Sequence, residues 1–281
     1  VCIGLLLVTI KVDGSGAAIN QIVTMARPHI HSEADLDLAL SALGEADPRF
    51  TALLAKSGRP PLRRREDGFA ALAAIIVAQQ LSTASANAIW GRLAAAFDPF
   101  EPEAILRARP ARLARLGLSA PKIRALKAIA RAVKRGELAL AGLAELAAEE
   151  AHAALTAIHG IGPWTADIYL LSCLGHGDAW PAGDLALQEA ARVAFALPAR
   201  PTAKEMLALA EAWRPWRAVA ARVLWSYYRA AAAAAKASSK APTKASTEAK
   251  GSTKSSIKPA ARSPKRGKRQ TARKGKRRAI R

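Results

Sequence analysis

Between Ser32 and Ala230, apolar side chains recur every three or four positions and almost never alternate. That period predicts helices rather than a sheet. Leu36, Leu40 and Leu43 mark a first helix after Ser32, with Glu33 and Asp35 at its positive end. Pro60-Pro61 interrupts the chain before Phe69, Leu72, Ala73, Ile76 and Val77, whose density predicts a helix central to the core. Ser82 is placed to cap the next helix, through Ile89, Trp90, Leu93 and Phe97. Further helices are expected over Leu113 to Leu116 and, after Pro121, over Ile123, Leu126, Ile129 and Ala130. His152 to Ile158 and Thr165 to Leu174 predict two helices flanking a glycine turn. Leu185 to Phe195, Lys204 to Trp213 and Trp216 to Ala234 bring the expected count to about ten. The fold class expected is therefore all-α, a compact bundle without simple up-and-down symmetry.

Charge changes the picture at one end. Of the net +21 carried by 281 residues, +16 lies from Ala231 onward, where 17 Lys and Arg face only Glu248. That segment, residues 231–281, is Ala, Lys, Ser, Thr, Pro and Arg with almost no large apolar residues. It is expected to be disordered and to favour a polyanion such as nucleic acid. Its lysine spacing resembles linker-histone-like tails. Residues 25–230 form the expected globular domain, and residues 1–24 read as an upstream extension before Met25 or as a short N-terminal strand.

No stretch approaches the ~18 consecutive apolar residues of a membrane span, so a membrane protein is not expected. Cys2 and Cys173 are too few for a four-thiolate metal or iron–sulfur site, and the five histidines show no ligand spacing with them. No side-chain metal site is predicted, and a reducing cytoplasm is the expected setting, nucleoid-associated in a bacterium.

Leu155-Thr-Ala-Ile-His-Gly-Ile-Gly-Pro-Trp-Thr-Ala166 is the most informative segment. Gly160 and Gly162 around Ile161 permit a tight turn in which the isoleucine plugs the gap between two helices, and Pro163 suits a first helical turn. The exposed amides of such a turn suit a phosphate oxygen. Alone this would be an ordinary αα-corner. Together with Asp184, 22 residues after Gly162, the segment resembles the helix-hairpin-helix DNA glycosylase superfamily, and its 3-methyladenine DNA glycosylase II (AlkA-like) branch most closely. The resemblance runs from about Asp67 to Trp225. It takes in Ile75 to Ser82, Gly117 to Lys127, Pro181 to Gln188, and Trp213-Arg-Pro-Trp-Arg217 with Trp225.

The resemblance implies roles for residues that also have plain structural readings. Enzymes acting on a base within duplex DNA extrude it, fill the gap and grip the base. Gln80 is the implied gap-filling residue, with Gln79, Leu81 and Ser82 beside it, although a Gln-Gln pair near a helix end is equally a solvated turn. Asp184 before an apolar helix has the form of an N-cap, and the resemblance makes the same carboxylate the catalytic group that stabilises charge at C1′ and orients water. Gly160, Ile161, Gly162, Thr165 and Lys122 are implied DNA contacts. Trp164, Trp225, Ile168 and Tyr169 are the implied base pocket, with Ile168 standing where the best-known relative has tyrosine.

Lyase-competent relatives carry a lysine two residues beyond the second hairpin glycine, and here that residue is Trp164. Water as nucleophile and an intact abasic product follow. The indoles suit cationic alkylated purines. The implied function is thus a monofunctional alkylpurine DNA glycosylase acting as a monomer on double-stranded DNA. It would be a compact form lacking the preceding α/β domain of longer relatives, with at most a monovalent cation at the hairpin carbonyls. A non-catalytic DNA-binding or chromatin-organising protein is an alternative that Asp184 and Trp225 argue against. A glycosylase for neutral damaged bases is disfavoured by the missing hairpin lysine and cluster.

Overall fold

The computed structural model describes residues 28–240, with side chains through residue 237. The expected extension over 1–24 and the basic segment from 241 to 281 lie outside the described residues. Twelve α-helices and no extended sheet are present among the described residues, joined by two 3₁₀ turns and one π-helical turn. None is long and apolar enough to cross a membrane.

The helices begin where the polar signals stand. Ser32 caps α1 (Glu33–Ala46), accepting from the Asp35 N–H while the Asp35 carboxylate returns to the Ser32 N–H. These hydrogen bonds hold the Asp35 carboxyl below the usual range. Pro48 precedes a short α2 (Arg49–Ser57), and Gly58 to Gly68 then runs without regular structure to α3 (Phe69–Ala78). Every large apolar residue of α3 is buried, which makes it the central strut. It packs on α4 (Thr83–Ala96), α7 (Ala120–Lys134) and α9 (Pro163–Tyr169).

Two short helices, α5 (Pro102–Arg107) and α6 (Pro110–Arg115), lie against α7. Across the hairpin, α8 (Ala148–Thr156) packs on α9, which continues as a π-helical turn over Leu170–Leu174. After α10 (Leu185–Ala194) and α11 (Ala203–Ala210), α12 (Arg217–Lys240) returns along α10 and α2.

The first tryptophan of the 213–217 segment is core, and Trp216 is only half-buried. Trp213 is 1% exposed and meets Phe50 and Trp180 edge-on, at centroid distances of 5.0 and 5.5 Å. Its indole N–H donates to Asp47 Oδ2 at 3.0 Å. The last helix, expected to Ala234, runs six residues further as α12, to Lys240. The physical reason is the alanine run at 230–235, the best helix-forming sequence there is.

Candidate active site

Asp184 does cap α10, its Oδ1 accepting the Leu187 N–H at 2.7 Å. The same carboxylate is gripped from two other helices. Trp164 Nε1 on α9 donates to Oδ2 at 2.7 Å, and Trp225 Nε1 on α12 donates to Oδ1 at 3.2 Å. A carboxylate offers about four lone-pair sites. Three donors therefore fix its position and leave capacity for one more, such as a water.

All three side chains are half-buried, at the edge of the core rather than within it. The loop that delivers Asp184 is pinned on both sides. Trp180 Nε1 donates to the Met206 carbonyl at 3.1 Å, and Gln188 Nε2 to the Ala182 carbonyl at 2.9 Å. Arg217 fastens the first turn of α12 to the loop, its Nε and Nη2 donating to Asp178 at 2.6 and 2.8 Å.

The two adjacent pocket candidates part company. Ile168 lines a cavity of about 210 Å³ together with Trp225. Tyr169 does not: it is 0% exposed, and its hydroxyl accepts the Gly68 N–H at 2.9 Å. Burial pushes the hydroxyl pKa up. The reason is rotational, since residues four apart share a helix face and the next residue turns by about 100°. Ile168 follows Trp164 on one face, while Tyr169 turns into the core.

The hairpin is built by packing. Gly160 has φ +95°, and a Cβ there would lie 2.4 Å from the Ala125 Cβ on α7. Ile161 plugs the gap as expected and is 4% exposed, so its side chain belongs to the core. The Thr165 side chain is buried as well, 1% exposed with its Oγ1 accepting from Gln79 Nε2 at 2.8 Å. That bond also turns Gln79 inward, tying the end of α3 to α9. Gly162 is the exposed glycine of the turn, with open space around it.

Beyond Gln79 the chain makes a tight, exposed bend. Gln80 sits at φ +55°, a left-handed conformation uncommon for a residue with a side chain, and Leu81 is 39% exposed. Ser82 then caps α4, its Oγ accepting the Ser85 N–H at 3.2 Å.

Lys122 holds this bend from beneath rather than facing outward. Its Nζ donates to the carbonyls of Val77 at 2.7 Å and Gln79 at 2.8 Å, satisfying orphan groups at the end of α3. Desolvation lowers its pKa. Lys122→Met should therefore lower stability by about 1 kcal/mol, the usual net worth of such hydrogen bonds. Duplex affinity measured across several salt concentrations should keep its slope. A slope reduced by about 0.9 would mean that the ammonium leaves the carbonyls for a phosphate.

Flanking the hairpin, an open cavity of about 500 Å³ lies between Pro110, α7 and His159, with exposed Arg124 and Arg131 on its wall. Behind the hairpin, His152 Nε2 stands 3.7 Å from the Asp167 carboxylate. Burial pushes the Asp167 carboxyl up to about 7, against the opposing Arg217 guanidinium, and desolvation lowers the His152 pKa.

The residues that sequence reasoning missed are basic. Arg63, Arg65, Arg222 and Arg229 line the same cavity as Ile168 and Trp225. The signal was present for two of them, because positions three before and four after Trp225 must share its face of α12.

Residues 73–215 match the family model described as HhH-GPD superfamily base excision DNA repair protein. The probable bifunctional transcriptional activator/DNA repair enzyme AlkA of Mycobacterium tuberculosis is 33% identical over 202 residues, which cover 69% of this chain and 40% of that one. The chain thus spans about 40% of the length of this curated relative. A solved 3-methyladenine DNA glycosylase of Schizosaccharomyces pombe, in complex with abasic DNA, superposes with a TM-score of 0.62 at 32% identity. That likeness covers 67% of this chain and 95% of the other. The DNA-3-methyladenine glycosidase of Bacillus halodurans gives the same TM-score at 29% identity, over 69% and 91% of the two chains.

Proposed function

Because the chain belongs to the HhH-GPD superfamily of base excision DNA repair proteins, we propose that it is a monofunctional DNA glycosylase that removes alkylated purines from double-stranded DNA. The observation that carries this reading is the Asp184 carboxylate held by the indole N–H groups of Trp164 and Trp225. A helix cap needs neither indole. The arrangement places a fixed negative charge at the N–H edges of two indoles, which suits a sugar that becomes cationic as its base departs. Relatives named for 3-methyladenine support the substrate class.

The chemistry assigned to the chain is hydrolytic. The C1′–N bond breaks with its electron pair going to the base, and water oriented by Asp184 adds to C1′. An amine nucleophile is not supplied at residue 164, which is tryptophan, and the Lys122 ammonium is occupied by the Val77 and Gln79 carbonyls. The exposed bend at Gln80 and Leu81 is the element suited to enter the gap left by the extruded base.

The test is single-turnover excision on duplexes carrying 3-methyladenine or 7-methylguanine. Base release should leave a strand that breaks only after alkali, and borohydride should trap no protein on the DNA. Covalent trapping of the wild-type chain would overturn the monofunctional reading. Release of neither base would overturn the substrate class.

A further inference from the structure

Positive charge is concentrated in one stretch of the helical domain. Between Glu103 and Glu137 the chain carries ten Lys and Arg and no Asp or Glu. The remainder of residues 1–230 has 16 such cations against 21 carboxylates. Like charges gathered this closely repel one another and work against the compact state unless a polyanion meets them.

Five of the ten are engaged within the protein. Arg112, Lys122 and Lys127 donate to main-chain carbonyls, Lys134 stands 3.8 Å from Glu103, and Arg135 stands 3.6 Å from Glu137. The other five are exposed arginines, and among the described residues none of them makes an ion pair or a side-chain hydrogen bond.

Two of these free arginines, Arg124 and Arg131, line the open cavity of about 500 Å³ beside the hairpin. Seven residues separate them, two turns of α7 and about 10 Å along its axis. Pro110 of α6 and His159 of the hairpin also line it, and Ile123 and Ala128 supply an apolar floor. Lys127 in the wall already holds the Leu106 carbonyl at 3.0 Å, and no carboxylate is present in the lining. The cavity adjoins the glycine turn itself: His159 precedes Gly160, and Gly160 packs on Ala125, the neighbour of Arg124.

We propose that this groove carries one strand of the lesion-bearing duplex beyond the hairpin, with Arg124 and Arg131 on its phosphates. The inference rests on the glycosylase reading for its partner, duplex DNA, and extends the footprint to flanking sequence that holds no lesion. A sugar–phosphate strand is anionic along its phosphates and largely apolar on its sugar faces, the two characters of the rim and floor. At ~3.4 Å per nucleotide along the duplex axis, the two guanidinium groups span about three steps of one strand. Guanidinium matches phosphate oxygens in a planar, two-pronged fashion. Such contacts fix the register of the protein on the duplex and carry no sequence information. An acidic polypeptide would meet the same charge. The duplex is favoured because the groove continues from a turn whose amides suit a phosphate, so a single strand engages both.

The probe is a duplex with a tetrahydrofuran abasic analogue at its centre, which fixes the register and has no base to lose. It is shortened from each end in turn and titrated with the full-length chain. Wild-type affinity should fall by about tenfold when the end over the groove is removed and by less than about threefold for the other end. Arg124→Gln combined with Arg131→Gln should weaken binding of the long duplex by about tenfold at 0.1 M salt and make the salt slope about 1.8 shallower. The same variant should bind the duplex shortened over the groove as the wild type does. Both side chains are exposed and unpartnered, so the melting temperature should stay within about 2 °C. Lys56→Gln with Lys204→Gln removes equal charge from α2 and α11, and its slope should shift by less than about 0.5. Any part played by the basic segment from residue 231 is common to all three chains.

A double arginine variant with wild-type affinity and slope would overturn the proposal, as would a wild-type chain equally sensitive to shortening at both ends. An equal loss in the Lys56→Gln, Lys204→Gln chain would make the effect one of net charge and overturn it too. Base release from a 7-methylguanine duplex is measured beside these titrations. A wild-type chain that releases no base, yet keeps an end dependence that the arginine variant abolishes, would overturn the glycosylase reading and leave the groove assignment standing.

Discussion

Asp184→Asn is expected to slow base release by on the order of 100-fold or more, with duplex affinity held within about threefold. Stability at the start of α10 should change little, because asparagine caps as well as aspartate does and its carbonyl can keep the Leu187 N–H. The charge facing the sugar is what disappears. The variant has a second consequence. Trp164 Nε1–H points at Oδ2 from 2.7 Å, so an amide nitrogen there sets donor against donor and the indole must shift.

That conflict is separable. Trp164→Phe removes the indole N–H while keeping an aromatic face, and should retain most of the excision rate. Asp184→Asn combined with Trp164→Phe relieves the opposed donors without restoring charge. The double variant should therefore stay as slow as Asp184→Asn alone in single-turnover excision. Recovery toward the Trp164→Phe rate would mean that the carboxylate acts by holding the indole, and the catalytic assignment would fall.

Local signals in the sequence fared differently from distant ones. Ser32, Ser82 and Asp184 each accept a backbone N–H three residues ahead, a relation visible in the chain itself. The short helices α2 and α5, of 9 and 6 residues, were not foreseen, because so few turns give no readable period. Ile168 and Tyr169 differ by one position and end on opposite sides of the boundary between cavity and core, which only the rotation of α9 about its axis decides.

Lys122 was visible as a charge in a basic helix. Its ammonium ends on carbonyls 45 and 43 residues away, and no spacing encodes that choice. Arg222 is the same case more strongly drawn, with carbonyl partners 160 and 51 residues distant. Carbonyl acceptors exist on every residue, so a cation that satisfies them leaves no trace in the pattern of side chains. Asp184 with Trp164 and Trp225 was legible only through the family resemblance, since the three lie on different helices.

The two glycines of the hairpin turn should fail in different ways. Gly160→Ala places a Cβ 2.4 Å from the Ala125 Cβ and 2.8 Å from its Cα, at φ +95° where a side chain is strained regardless of space. The backbone conformation contributes roughly 1–2 kcal/mol and the overlap roughly 1–3 kcal/mol, so the variant should melt on the order of 10 °C lower. Ala125→Gly in the same chain removes only the Cβ overlap and leaves both the 2.8 Å approach to the residue 125 Cα and the φ strain, so it should restore part of the loss and not all of it. Gly162 has φ −87° and nothing within 4 Å of a new Cβ, so alanine there meets no clash and should cost only about 0.5–1 kcal/mol, the disadvantage of alanine at the N-cap of α9. Its open side is where a phosphate would approach the amides at the start of α9. Gly162→Ala should therefore weaken duplex affinity by about tenfold while melting within about 4 °C of the wild type. Calorimetry and DNA titration on the three variants separate the cases. A Gly162→Ala chain that binds duplex normally would show that the hairpin turn is a packing device alone, and equal melting of Gly160→Ala and wild type would refute the close contact with α7.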